Sequence, residues 1–266
     1  MSGEVLEWSN RTVLKTVVQV SVPWVRIPPS PPSCYNVTMQ KNILKKVEQY
    51  SKKCFSKNKD SAHNYDHVMR VYNLALKLAE GENVDLDVLR ISALLHDIGR
   101  AKEMSDPTGK TDHAVEGAKM AEKFLNELNM PEDKVEHIKQ CIITHRYKTD
   151  KKPKSLEAKI LFDADKLDTV GAIGIAREYV WIGKNNGYLY KKMNIKEYAK
   201  ENLEGGKING RIKDKSKHSP QINWETKLKL LSTVLYTDKA REMAKERMKF
   251  SKEFLDKLER EVKGLE

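Results

Sequence analysis

Residues 94–100 read LLHDIGR, a stretch in which an apolar helical pattern is followed directly by ionisable residues. The pattern ends at Leu95 and is followed at once by two adjacent ionisable residues, His96 and Asp97. Placing such groups at the end of a buried helix is unfavourable unless something offsets their lost hydration. A divalent cation does this directly, and His96 and Asp97 are therefore the first candidate metal ligands.

Histidine placement extends this pattern along the chain. Five of the seven histidines lie on, or at the ends of, consecutive predicted helices, and three of the five have an aspartate beside them in sequence. In SAHNYDHVMRV, residues 61–71, two histidines are four positions apart, which is one helical turn and puts both on one side of a helix. The five are His63, His67, His96, His113 and His145.

The segment DADKLD, residues 163–168, supplies further carboxylates. Asp165 and Asp168 share one face of the predicted helix, whereas Asp163 points elsewhere. Imidazoles mixed with carboxylates suit an octahedral divalent ion better than a closed structural zinc site. For a single histidine or aspartate, a hydrogen-bonded core residue or a surface charge is the better interpretation, but the set together indicates a metal site. The predicted ligands are His67, His96, Asp97 and Asp165.

These motifs resemble the HD superfamily of metal-dependent phosphohydrolases, and within it the small bacterial and archaeal YpgQ/YedJ-like hydrolases. The resemblance rests on HNYDHVMRVYNLALKLAE, LLHDIGR, DHAVEGAKMAEKFL and ILFDADKLDTVGAIGIAR, and it covers residues 40–263. It implies an all-helical HD fold and one divalent metal ion, Mn, Mg, Co, Ni or Fe. It also implies hydrolysis of a phosphate ester or anhydride, with nucleoside triphosphates as substrates. Arg146 stands where two-metal relatives often carry a second histidine, which argues against a second ion.

We expect a catalytic role for Asp97, His113 and His145. A bound ion would activate water for attack at phosphorus, and Asp97 or a carboxylate near it would accept the proton of that water. His113 and His145 would contact the phosphate or protonate the leaving group; hydrogen bonding that merely supports the metal ligands is an equally open alternative.

Further polar residues are predicted to bind substrate. Lys166 and Arg177 suit phosphate oxygens, and Asp168 suits a sugar hydroxyl or Arg177, although a structural ion pair between the last two is equally open. The predicted substrate-binding residues are His63, Arg70, Arg100, Lys166, Asp168 and Arg177.

The chain is predicted to fold as one all-α domain over residues 39–266. Residues 1–38 hold five of the nine prolines and have no helical period, so we interpret them as a disordered extension or as a start codon assigned too early, with Met39 as the true start. Residues 183–222 are rich in Gly, Asn and Lys, and predict a basic loop that is either a lid over the site or a solvated surface segment.

Composition limits the classes of function. The net charge of +11 comes from 49 basic and 38 acidic residues, whose signs are interspersed, so nucleic-acid binding is permitted but not indicated. Three isolated cysteines indicate a reducing, cytoplasmic setting, and no apolar run approaches the roughly 20 residues of a membrane span. The expected partner is a small phosphate compound, a nucleotide, and a homodimer stays open. The alternatives are a non-catalytic HD module that senses a nucleotide and a basic helical protein that binds nucleic acid.

Overall fold

The computed structural model describes residues 34–56, 63–146, 151–208 and 210–266, with side chains from Asn42 onward. Most of the predicted N-terminal extension, residues 1–33, lies outside the described residues. The predicted all-α class is confirmed, because the described part of the chain contains helices and a single isolated β-bridge, between Leu203 and Ile212. Within that part, no helix is both long and apolar enough to cross a membrane.

Eleven α-helices follow one another in the described residues, and three short 3-10 helices connect the later ones. The α-helices are α1 (Cys34–Phe55), α2 (Tyr65–Ala79), α3 (Leu86–Leu95), α4 (Arg100–Ser105), α5 (His113–Glu127), α6 (Glu132–Thr144), α7 (Leu156–Leu167), α8 (Gly171–Lys184), α9 (Ile195–Asn202), α10 (Pro220–Thr226) and α11 (Asp238–Val262). The 3-10 helices are Glu204–Gly206, Lys215–Lys217 and Leu228–Thr233.

Side-chain caps fix where the site-bearing helices begin. Asp85 accepts hydrogen bonds from backbone N–H groups of the first turn of α3, and Ser155 does the same for α7. At the start of α5, Asp112 accepts hydrogen bonds from the backbone N–H groups of Ala114 and Val115. Asn64 caps α2, so that His67 lies in its first turn.

One large apolar core joins helices α1–α3 and α5–α7 with the first turns of α11. Residues such as Leu95 and Ala164 are completely buried there, on the helices that carry the candidate ligands. The aromatic rings of Tyr50 and Phe124 stack with centroids 3.9 Å apart and bind α1 to α5. Each candidate ligand therefore stands on a helix that is packed into this core.

The prediction of a loop over residues 183–222 is wrong for much of its length. The segment contains helix α9 and its own small apolar cluster, which consists of Tyr198, Ala199, Leu203 and Ile222. Asn194 caps α9, and the extended segments on either side of the β-bridge bring residues 202–204 against 211–213. Gly and Asn residues break the helical period here, but they do so as caps and turns of a folded segment.

The terminal helices are divided by a connection that α7 holds in place. Helix α10 ends at Thr226, a 3-10 helix follows, and α11 begins at Asp238. Asp163 of α7 accepts hydrogen bonds from the backbone N–H groups of Tyr236 and Thr237 and from the Thr237 hydroxyl. Asp163 thus points away from the candidate metal site, as its helical position predicts.

Candidate metal centre

The turn after α3 is the centre of the site. His96 and Asp97 are 0% and 1% exposed. The next turn of chain packs directly against the start of α5, since a Cβ atom on Gly99 would lie 2.2 Å from the carbonyl oxygen of His113 and 2.6 Å from the backbone nitrogen of Gly117. Glycine is therefore required at position 99 for α5 to bring His113 against Asp97.

A first cluster of metal donors forms where α2 meets this turn. His67 Nε2 lies 3.4 Å from His96 Nε2, and each of these nitrogens lies 3.6 Å from Asp97 Oδ2. Neighbouring donors on an octahedral ion with bonds of about 2.1 Å stand about 3 Å apart. The three atoms are therefore close to the spacing that one cation requires, and they form a group able to hold it.

Asp165, the fourth predicted ligand, lies at the edge of this cluster. Its Oδ1 is 3.4 Å from His67 Nε2, while its Oδ2 accepts a hydrogen bond of 2.6 Å from Lys166. Asp165 is the most exposed member, with 15% of its side chain accessible. It thus forms the side of the cluster that faces outward.

A second cluster uses the other oxygen of the same aspartate. His113 Nε2 and His145 Nε2 lie 3.2 and 3.4 Å from Asp97 Oδ1, and 3.4 Å from each other. Arg146, which follows His145 in sequence, turns to the rim and pairs with Glu103 and Asp112. Asp97 is therefore shared by two trios of donors, and Arg146 adds nothing to the second.

Every one of the four histidines is anchored through Nδ1. His67 Nδ1 lies 2.7 Å from Asp168 Oδ2, and His113 Nδ1 lies 2.7 Å from Glu103 Oε2. His96 and His145 donate instead to backbone carbonyl oxygens one turn earlier, at 2.8 and 2.6 Å. With the Nδ1 proton engaged, each neutral ring turns the lone pair of Nε2 inward, which is how metal-bound histidines are oriented.

Because these lone pairs converge, the electrostatics of the first cluster show whether a cation is favourable there. Without a positive charge between them, His67 Nε2 and His96 Nε2, 3.4 Å apart, would point their lone pairs at each other and repel, and a proton or a metal ion removes the repulsion. Burial opposes charge on His67, yet hydrogen bonds to Asp165, Asp168 and Asp97 raise its pKa to about 9. The first cluster therefore attracts positive charge, and the mixture of nitrogen and oxygen donors suits Mn, Fe, Co or Ni.

Asp97 itself lacks a partner that its environment demands. Burial would raise the pKa of its carboxyl, but Arg100, His96 and His113 hold that pKa well below its usual range, so the group is ionised. Arg100 donates to Oδ2, whereas Oδ1 is completely buried and has no hydrogen bond. An unpaired carboxylate oxygen in a dry interior is costly, and a cation or a proton donor at that position offsets the cost.

Among the predicted substrate-binding residues, Asp168 is a correction. Its carboxylate is fully buried and is bonded to His67, Arg70 and Arg177, so it is not accessible to a sugar hydroxyl. It orients His67, and the structural ion pair with Arg177 is the alternative that the structure bears out. Burial of the carboxyl was not visible in the sequence, because it depends on how α2 packs against α7.

The other predicted contacts divide into two groups. Lys166 donates to the carbonyl oxygen of His145 as well as to Asp165, and it is only 9% exposed, so it braces the site. Arg70 and Arg100 keep 28% and 22% of their side chains accessible while pairing with Asp168 and Asp97. His63 precedes α2, with its ring centroid 5.8 Å from that of His67.

A cavity of about 380 Å³ borders the metal centre. His63, Thr169 and Arg177 line the side next to His67 and its partner Asp168. Its volume lies in the usual range for small-ligand sites. Further cationic and polar residues form the remaining walls, and these are Glu178, Trp181, Arg211, Lys215, His218, Asn223 and Lys227.

Sequence reasoning missed these wall residues. Arg177 was predicted, and Trp181 lies one turn further along the same helix, so helical periodicity was the one signal that pointed to it. Arg211 and Lys215 fall in the basic segment that was read as a loop. Nothing in the sequence indicated that Asn223, 45 positions after Glu178, donates a hydrogen bond to it at 2.6 Å.

Comparisons with known proteins agree with this geometry. The HD domain family model matches residues 64–170, which contain all the metal donors described above. YpgQ of Bacillus subtilis is 30% identical over 210 residues, which cover 79% of this chain and 89% of YpgQ. The 3'-5' exoribonuclease YhaM of Bacillus subtilis is 28% identical over 160 residues, which cover 55% of this chain and 44% of YhaM.

Solved structures share the fold. The crystal structure of Bacillus subtilis YpgQ in complex with ADP superimposes with a TM-score of 0.61 at 24% identity, and covers 84% of this chain and 100% of that one. A predicted HD superfamily hydrolase from an uncultured Thermotogales bacterium superimposes with a TM-score of 0.54 at 28% identity, and covers 82% of this chain and 92% of that one. The His and Asp residues of LLHDIGR, together with the sequence relationship to YpgQ, establish that this chain belongs to the HD superfamily.

Proposed function

We propose that the chain is a metal-dependent phosphohydrolase that cleaves the phosphate anhydride of a nucleoside triphosphate. The observation that carries the proposal is the meeting of two features: histidine and aspartate donors that converge on one buried carboxylate, and a basic cavity beside them. The ADP bound to YpgQ supports a nucleotide as the ligand. A sensor module without activity would not need the second trio of buried donors, Asp97, His113 and His145.

The chain's own residues divide the work. His67, His96, Asp97 and Asp165 would hold one divalent cation, which supplies Lewis-acid activation of water and neutralises charge on the phosphoryl group. Arg100, which donates to Asp97 Oδ2, helps to keep Asp97 ionised. Lys166, bonded to Asp165 and to the His145 carbonyl, keeps that carboxylate turned toward His67. Arg70 and Arg177 add positive charge where a phosphate would enter.

The second trio is assigned to proton handling. Asp97 Oδ1 is unpaired and lies between His113 and His145, so a proton taken from water at Oδ1 has two imidazoles within 3.4 Å. Glu103 holds His113 in the orientation that keeps Nε2 toward the centre. The second cluster has three donors, one of which, Asp97, it shares with the first cluster. The first cluster has four donors when Asp165 is included, and we therefore infer that a single cation binds there.

A panel of nucleoside tri-, di- and monophosphates, each with Mn, Mg, Co or Ni, tests the proposal. We expect release of phosphate or pyrophosphate from triphosphates, loss of release with a chelator, and loss of both release and metal binding in Asp97→Asn. Metal analysis of the purified protein should find one ion per chain; two would contradict the single-cation assignment. Normal turnover in Asp97→Asn would end the enzyme proposal.

A second candidate is removal of nucleotides from the 3′ end of RNA, which the relationship to YhaM favours. The chemistry would be the same, because a phosphodiester is attacked in place of an anhydride. A labelled RNA oligonucleotide added to the panel separates the two candidates. Shortening of the RNA without cleavage of free triphosphates would replace our first choice.

A further inference from the structure

One wall of the cavity contains a carboxyl group held by a directed chain of hydrogen bonds. Asn223 donates from Nδ2 to Glu178 Oε2 at 2.6 Å. Because a carboxylate only accepts, the amide of Asn223 must present its NH₂ group to Glu178, and its oxygen is left for His218, to which it is hydrogen-bonded. His218 Nδ1 lies 2.7 Å from the hydroxyl of Tyr198, which in turn accepts from Asn202 at 3.0 Å.

This chain runs in one direction, and it ends at Glu178. Asn202, Tyr198 and His218 are all at least 96% buried, so the network is part of the folded structure and not a surface arrangement. Buried polar networks of this kind are unfavourable unless every member is satisfied, and a fully satisfied network fixes its members in place. Glu178 is thereby presented to the cavity, which it lines, in a set orientation.

Helix α8 connects this carboxyl to the metal centre through the preceding residue, Arg177. Arg177 donates to Asp168, the residue that orients His67. Trp181 lies four residues further along the helix, about 6 Å along the axis at 1.5 Å per residue. Its ring meets His218 edge to face at 5.6 Å and lines the same cavity. The cavity therefore presents positive charge at Arg177 and, along the same helix, a carboxyl group at Glu178 and an aromatic surface at Trp181.

We propose that Glu178 selects the nucleobase, favouring adenine and cytosine, whose exocyclic amino groups stand where hypoxanthine, uracil and thymine carry an oxygen. The inference rests on the proposed nucleotide substrate. An oriented carboxylate accepts a hydrogen bond from an amino group, whereas the carbonyl oxygen at the same position of an oxo base is repelled by it. Sites built around such a hydrogen bond reject the analogue that cannot make it, because the polar group of the protein is left unpaired.

Two nucleotide pairs isolate this contact, because CTP differs from UTP, and ATP from ITP, by an amino group in place of an oxygen. We expect the wild-type kcat/KM to favour the amino member of each pair by about 10- to 100-fold, the size of one hydrogen bond to a charged group. In Glu178→Gln the NH₂ group of Asn223 still requires an acceptor, so the glutamine must turn its oxygen to Asn223 and its own NH₂ to the cavity. The preference should then reverse toward UTP and ITP.

Controls separate this role from general damage. Glu225→Gln removes the same charge from α10, where Glu225 pairs with the exposed Lys229, and it should leave both ratios unchanged. If Glu178→Gln folds poorly by circular dichroism, Asn223→Ala, which releases Glu178, should bring both ratios toward one. Ratios near one in the wild type, or unchanged in the folded Glu178→Gln protein, would overturn the proposal.

The test does not depend on turnover. If no nucleotide is hydrolysed, the proposed function fails, and equilibrium dialysis of the same four nucleotides with Mn²⁺ decides base selection by the ratio of Kd values. Tighter binding of CTP and ATP that reverses in Glu178→Gln would support selection without hydrolysis. Equal binding of all four, or no binding, would overturn it.

Discussion

The molecule has two regions that are built in different ways. The donor bundle, helices α1–α7, places its four donor histidines and Asp97 at 3% exposure or less beside the large core. The cavity wall, residues 171–228, is held by small apolar clusters and by the hydrogen-bond chain that ends at Glu178. The candidate metal donors therefore lie where a substitution disturbs the whole fold. The residues proposed to select the base lie where the effect of a substitution is local. Substitutions in the bundle should affect every substrate equally, and substitutions in the wall should change preferences.

The largest effect on stability is expected where the turn after α3 packs against the start of α5. Gly99→Ala places a Cβ 2.2 Å from a backbone oxygen of α5, so the helix must move. We expect the free energy of unfolding to fall by about 3 kcal/mol or more, the upper range for overpacking. Chemical denaturation measures it. Gly183→Ala is the matched control, because its Cβ meets nothing within 4 Å and alanine favours a helix. A Gly99→Ala protein as stable as the control would refute the close contact.

Asp168→Asn should weaken metal binding without changing substrate preference. Asp168 orients His67 and neutralises Arg70 and Arg177, and loss of such a partner typically costs 10- to 100-fold in metal affinity. Calorimetric titration with Mn²⁺ measures this, and Asp256→Asn, which affects only a surface pair with Lys252, serves as the control. A changed CTP/UTP ratio in Asp168→Asn would show that bundle and wall are not separable.

Arg211→Ala is a substitution in the cavity wall, and it should affect substrate binding without affecting metal binding. Arg211 lines the cavity and donates to the carbonyl oxygen of Gly109 at 3.4 Å. We expect its exposed guanidinium to bind phosphate in the ground state and the transition state alike. Its loss should raise KM about 10-fold and leave kcat unchanged. Lys213→Ala, an exposed neighbour, should change neither quantity. A fall in kcat at constant KM would move Arg211 into the catalytic machinery.

The smallest effect is a pH dependence of base preference. Burial raises the pKa of Glu178 to about 7, although Lys227, Asn223 and Arg177 act to lower it. The acceptor form dominates above this pH, and the protonated form, which donates, dominates below it. The CTP/UTP ratio should therefore be several-fold higher at pH 8 than at pH 6. In Glu178→Gln the ratio should not vary with pH, and an equal slope in both proteins would assign the titration to another group.

The donor bundle was largely predictable from the sequence. Apolar periodicity located its helices, and capping residues such as Asp85 and Ser155 fixed their starts. His96 and Asp97 stood out because ionisable residues rarely end a buried helix without compensation. The function of Asp168 was not predictable in the same way. Its helical position was correct, but the contact with His67 spans 101 residues and depends on how two helices pack.

The cavity wall was mostly invisible to sequence reasoning. Its hydrogen-bond chain joins α8, α9 and α10 through side chains that belong to no motif, and each of them taken alone is an ordinary polar residue. Turn residues around α9 hid a helix whose apolar cluster has four fully buried members. Selection of substrate is therefore encoded by tertiary contacts, while the metal donors are encoded by local pattern as well.

The end of helix α7 and its C-cap carry three carboxylates within six residues, and each contacts a different group. Asp163 holds the start of α11, Asp165 faces His67 Nε2, and Asp168 anchors His67 Nδ1. One inserted or deleted residue would rotate the following side chains by about 100° and move the last two off their targets together. The number of residues in α7 is thus constrained more tightly by these contacts than the identity of most of its residues. Any chimera with another HD protein should exchange α7 and the segment before α11 as a single unit.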